Sequence, residues 1–208
     1  MREWWDVVPD DERQQWRLEP FTSVGPLAFG MSPSWVSKAL SEVTEEAQHY
    51  MHFLAPRASR SVIETGSYRE FGLNLYYRKE RLSGIVVNAL RGPQVFAEGV
   101  ALVGQVPSVL FQWMADRHRN PGTTDSYTDF LVMDAGVPAS ESLGVVIEVQ
   151  RADDLLLTRP VFFPSEAVDF GFTNWLPDNV WGRYRPIHQP NSLAMRQRRL
   201  PYVSHEYQ

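Results

Sequence analysis

The sequence predicts an α+β fold: a pseudo-symmetric tandem repeat of a helix plus an antiparallel β-meander, with the helices on one face of a shared sheet. Two internal echoes predict it. GPLAFGMSPSWV at 25–36 returns as GVALVGQVPSVL at 99–110, so that Gly25, Gly30, Pro33 and Ser34 fall on Gly99, Gly104, Pro107 and Ser108. FGLNLYYR at 71–78 returns as LGVVIEVQ at 143–150, in the same order and at nearly the same offset, and both alternate as half-buried strands do. Two units of roughly 75 residues are too few for a solenoid and suit one domain built on a common sheet. The chain then divides into an aromatic, acidic arm at 1–20, repeat units at 21–95 and 96–163, and an extension at 164–208 rich in Pro, Arg and aromatics.

Each element has a local reason. The arm carries Trp4, Trp5 and Trp16 among acids and is expected to form a short helix packed on the domain edge. In SPSWVSKALSEVTEEAQ, Ser32 suits an N-cap and Pro33 the first helical position, and Trp35, Val36, Ala39, Leu40, Val43 and Ala47 recur at helical spacing. The second helix, VPSVLFQWMADRH, places Val109, Leu110, Trp113 and Met114 on one face and turns Asp116, Arg117 and Arg119 toward water. RKERLSGIVVNAL and RADDLLLTRPVFF each follow a strand with a polar turn and a second β-rich run, a hairpin pattern without the strongest Asn-Gly turn. The extension has no clear period and is expected to wrap the body.

Strand alternation then sorts side chains. Leu73, Leu75 and Tyr77 share one face with Val145, Ile147 and Val149 and are expected beneath the helices. Asn74, Tyr76, Arg78, Glu148 and Gln150, with Asn88 and Thr158 from the following strands, are expected on an open sheet face. A mixed polar and aromatic surface of this kind suits protein recognition, because Tyr supplies contact area and Arg directed hydrogen bonds. A plain solvated sheet face is the competing expectation.

Composition narrows the function. The balance of 20 basic and 25 acidic residues gives a net charge of −5, and the acid lies upstream, with 13 basic against 19 acidic residues in 1–150. An affinity built on neutralising phosphates needs the opposite sign, so nucleic acid is not expected and a basic protein partner is. The one basic patch is in the extension, at Arg183, Arg185, Arg196, Arg198 and Arg199, and the body behind it is acidic. Absent cysteine removes disulfides, thiolate nucleophiles and cysteine metal sites. The opening MREWWDVVPDDERQQW lacks the long apolar stretch of a secretory signal, and no 18-residue apolar run follows, so a cytoplasmic protein with no membrane contact is expected.

Chemistry has few candidates. Glu45, His49 and His52 have spacings that a helix would gather, but the specific patterns of helical metal sites are missing, and no metal or cofactor is expected. No hydrolase elbow, phosphate loop, dinucleotide fingerprint or zincin motif occurs. Acids cluster at Glu42, Glu45 and Glu46 and at Asp125 and Asp129; their second use is electrostatic, hastening encounter with a basic partner.

At GPLAFGMSPSWVSKAL the chain resembles bacterial immunity proteins encoded beside polymorphic toxins, and more loosely the tandem helix-and-sheet repeat of beta-lactamase inhibitory protein. Phe29, Gly30, Met31 and Ser32 carry the match; Val103, Gly104, Gln105 and Val106 in the second copy keep the glycine alone. The resemblance spans 21–163 and implies a binder without catalysis that neutralises a cognate toxin by occluding its active or substrate-binding surface. A non-inhibitory adaptor or scaffold, and an enzyme of unrecognised type, stay open beside it.

Overall fold

The computed structural model describes residues 6–43, 50–54, 63–69, 71–119, 130–133, 137–177 and 180–181. The chain is α+β and mostly strand, with two sheets and four helices among the described residues. The small sheet runs β3-β2-β1-β8-β9, formed by β1 (Gln15–Glu19), β2 (Ser23–Val24), β3 (Leu27–Ala28), β8 (Gln94–Ala97) and β9 (Val100–Ala101). The expected helix in the arm is thus corrected. Among the described residues of the arm the only helical element is a 3-10 turn at Asp10–Glu12, and QWRLE alternates exposed and buried residues as β1, paired in parallel with β8.

The large sheet has eight strands. Its order is β10-β11-β12-β13-β7-β6-β5-β4, from β4 (Tyr50–Leu54), β5 (Ile63–Tyr68), β6 (Leu73–Arg78), β7 (Arg81–Val87), β10 (Phe130–Met133), β11 (Val137–Ser140), β12 (Val145–Ala152) and β13 (Leu155–Phe162). Every pair in it is antiparallel. Helix α1 (Pro33–Ser41) precedes β4 and helix α2 (Pro107–Arg119) precedes β10, while β7 and β13 meet at the middle through Val86↔Val161 and Ile85↔Phe162. The β6–β7 and β12–β13 hairpins both close over two residues, at Arg78↔Arg81 and Ala152↔Leu155.

Gly30 and Gly104 each tie a turn to the second strand of a hairpin. Gly30 N–H donates to Leu82 O and Leu82 N–H to Met31 O; Gly104 N–H donates to Thr158 O and Thr158 N–H to Gln105 O, all at 2.8–2.9 Å. Both glycines have left-handed backbones, φ 84° and 69°, which spare them the Cβ clash another residue would meet.

Helix α1 starts as its residues predict, with the Ser32 hydroxyl accepting from Trp35 N–H, but it ends at Ser41 and leaves Trp35 61% exposed. In α2, Leu110 and Met114 are buried as expected, Trp113 packs partly against the core, and Val109 stands in solvent. Arg117, expected in water, is 9% exposed instead: its guanidinium donates to both carboxylate oxygens of Glu98 at 2.8–3.0 Å and to Ser142. The long stem buries while the fork finds its charge partner.

One core holds Val36, Leu40, Leu110 and Met114 from α1 and α2 against Leu73, Leu75, Tyr77, Val145 and Ile147, with Trp16, Leu18 and Val95 of the small sheet. A second core occupies the other face of the large sheet. There α3 (Glu166–Phe170) and α4 (Phe172–Trp175) place Ala167, Phe172 and Trp175, with Leu176 and Val180, over Tyr76, Val86, Val146 and Val161. Helices therefore lie on both faces of the sheet, which corrects the expectation of one.

Candidate functional site

The register places Asn74, Tyr76, Arg78 and Glu148 on the predicted side, but Thr158 pairs with Val149 and lies on the helix side, and the expectation of an open face fails. Tyr76 is 5% exposed and Glu148 4%, so the face expected to be open is covered by α3, α4, Leu176 and Val180, while Thr158 is buried on the opposite face. Arg78 donates from Nε and Nη2 to the carbonyl of Trp175, and its guanidinium lies 4.4 Å from the centre of that ring. Arg159 donates to Val180 O. A β-bulge in β7 pairs Tyr76 with Gly84 and Tyr77 with Leu82, leaving Ser83 between; Ser83 O then accepts from the Trp175 indole at 2.7 Å. Gly84 lets the segment close, because a Cβ there would stand 2.7 Å from Leu176 Cδ2.

Beneath this cover, Glu148 and Arg159 are direct cross-strand partners, and Tyr76 lies within their electrostatic reach. Burial lowers the Arg159 pKa, opposed by Glu148 and Tyr76, and burial raises that of Tyr76, opposed by Arg159. Arg159, half-buried, joins this group to the covering layer through Val180 O. Thr158 does similar work at the rim, donating to Leu102 O at 2.7 Å and accepting from Gln105 N–H. A signal for the cover was present: IVV at 85–87 and VVI at 145–147 are continuous apolar runs, the mark of strands buried on both faces.

The remaining predicted residues meet at one end of the sheet. Asn74, Asn88 and Gln150 are half-buried and line a cleft of about 350 Å³ with Arg69 and Arg91. Asn88 Oδ1 accepts from Leu90 and Arg91 N–H, Gln150 Oε1 from Ala89 N–H, and Asn74 Oδ1 from Ser67 Oγ. A second hollow, of about 210 Å³, is apolar and lies between α2 and the β11–β12 pair, walled by Pro107, Phe111, Val137 and Val149. Near the start of α2, Val106 and Val109 are 57% and 59% exposed, and neither lines the hollow. Sequence reasoning assigned Val109 to the core because its spacing from Trp113 is helical; the core-facing stripe of α2 is narrower than that spacing allows.

Of the acidic surface, Glu42 is exposed at the end of α1, while Glu45, Glu46, Asp125 and Asp129 lie outside the described residues. The Glu45, His49 and His52 spacing loses its helical basis: α1 stops before it and His52 falls in β4, whereas Glu45 and His49 lie outside the described residues. Among the described residues no group of three or more metal-ligating side chains gathers, and no helix is long and apolar enough to cross a membrane. The basic residues from Arg183 onward lie outside the described residues. No protein-family model matches the chain, and no curated protein or solved structure shows significant similarity to it.

Proposed function

We propose that this chain is an immunity-type binding protein that neutralises a cognate toxin domain by covering its active or substrate-binding surface, with α2 as the contact. The observation that carries the reading is the outward side of α2. Val106, just before the helix, and Val109 within it are exposed, and Phe111, also exposed, helps to wall an apolar hollow; exposed apolar side chains and a concave floor are what a protein interface requires. The partner is a protein with basic character, met in the cytoplasm: the net charge of −5 favours its approach. The turn at Phe29–Ser32, where the resemblance to immunity proteins lies, also supports the reading.

The same proposal makes the fold a duplication. Two helices each lead into four antiparallel strands, the hairpins close over two residues in both halves, and Gly30 and Gly104 make equivalent bonds to Leu82 and Thr158. These features support two copies of one unit facing each other across β7 and β13.

The test is protection. The gene for the toxin is expected beside the gene for this chain; expressed alone it should arrest growth, and co-expression with this chain should restore it. A neighbour that binds without being inhibited would replace immunity with an adaptor role, and turnover of a substrate by the purified chain would refute both.

A further inference from the structure

The cleft between the turn after β5 and the turn after β7 has an unusual hydrogen-bond inventory. A side-chain amide offers an oxygen acceptor and two N–H donors. In Asn74, Asn88 and Gln150 the oxygen is already spent, on Ser67 Oγ, on two backbone N–H groups and on Ala89 N–H. Each also has an NH₂ group, for which no protein acceptor is found among the described residues. All three amides line the same cleft.

Charge points the same way. Arg69 lines the cleft, is exposed, and makes no ion pair or hydrogen bond among the described residues; Arg91 also lines the cleft, and among the described residues no carboxylate belongs to the wall. In a chain of net charge −5 this is a local concentration of donors and positive charge. The amides are fixed by their spent oxygens, so their donors are oriented before any ligand arrives, which lowers the entropic cost of binding. Guanidinium groups match the paired oxygens of carboxylate and phosphate.

We propose that this cleft is an oxyanion site, which receives a carboxylate or phosphate group through the amide donors of Asn74, Asn88 and Gln150 and the guanidinium groups of Arg69 and Arg91. At about 350 Å³ it has room for a small ligand carrying that group. The site is separate from the α2 contact, and its test stands apart from that of toxin binding.

The experiment titrates the intact protein with inorganic phosphate and, separately, with succinate, and follows the side-chain NH₂ resonances of the three amides, with sodium chloride at equal ionic strength as control. Saturable shifts confined to phosphate or to succinate establish the site and name the oxyanion class; shifts with both establish the shared chemistry. Arg69→Gln, at an exposed position, should fold as the parent does and weaken binding about tenfold, the loss expected for a hydrogen bond to a charged group. No saturable shift with either anion, equal shifts with chloride, or undiminished binding in Arg69→Gln would overturn the proposal.

Discussion

Tyr76 occupies a strand face that its neighbours Asn74 and Arg78 make polar, and it is nonetheless enclosed by Phe172, Trp175 and Leu176. Its replacement therefore acts on stability. Tyr76→Ala should cost about 3 kcal/mol, as truncation of a buried aromatic does, measured by urea unfolding, and should leave the partner's affinity for the folded protein unchanged. Tyr77 makes a different prediction. Its hydroxyl is buried with no hydrogen-bond partner among the described residues, and its pKa is raised by burial first and by Tyr68 and Glu64 after that. Burial raises the pKa of Tyr68 and Tyr76 as well. A raised folded-state pKa means that the unfolded chain releases these protons first, so their contribution is fully present below about pH 10 and is lost as the pH rises toward the folded values. Tyr77→Phe should flatten that alkaline loss and, by removing an unsatisfied polar group, raise stability at neutral pH by about 1 kcal/mol. A steeper alkaline limb in the variant would contradict the burial argument.

Elements were legible where one physical signal ruled. Period-2 alternation marked β6 and β12, the polar turns marked their hairpins, and Ser32-Pro33 marked the start of α1. Elements shaped by tertiary context were not. IETGSY in β5 contains Gly66 and Ser67, weak strand formers, and is held by pairing with β6 along its whole length and with β4 from Ile63 to Ser67. The residues of α3 and α4 have no period because the two helices are short and broken at Gly171, φ 76°. The β6–β7 turn offers the element-scale test. Lys79 and Glu80 both have positive φ, 50° and 59°, in a two-residue loop, a conformation that Asn-Gly adopts at lower cost. Lys79→Asn/Glu80→Gly should raise stability by about 1 kcal/mol in thermal or urea unfolding. A loss of stability would mean that the register of this hairpin differs from Arg78↔Arg81.

At the scale of the molecule, the C-terminal segment decides which surface is available. It supplies a third layer, fastened by Arg78 to Trp175 O, by Arg159 to Val180 O and by the Trp175 indole to Ser83 O. Register alone placed Leu73, Leu75, Val145 and Ile147 beneath α1 and α2, and it could not reveal that an aperiodic segment returns over the opposite face. With that face closed, the proposed contact is on the helix side, where Val106 before α2 and Val109 and Phe111 within it are exposed. The measurement that tests this most directly is the affinity of the proposed toxin domain for the parent chain and for Val109→Glu/Phe111→Glu, with the melting temperature of each recorded alongside. The account predicts tight binding by the parent, a loss of about thirtyfold or more in the variant, as for about 2 kcal/mol at an interface centre, and a melting temperature little changed by two exposed substitutions. Equal affinity in the two proteins, with both folded, would contradict it and remove α2 as the contact.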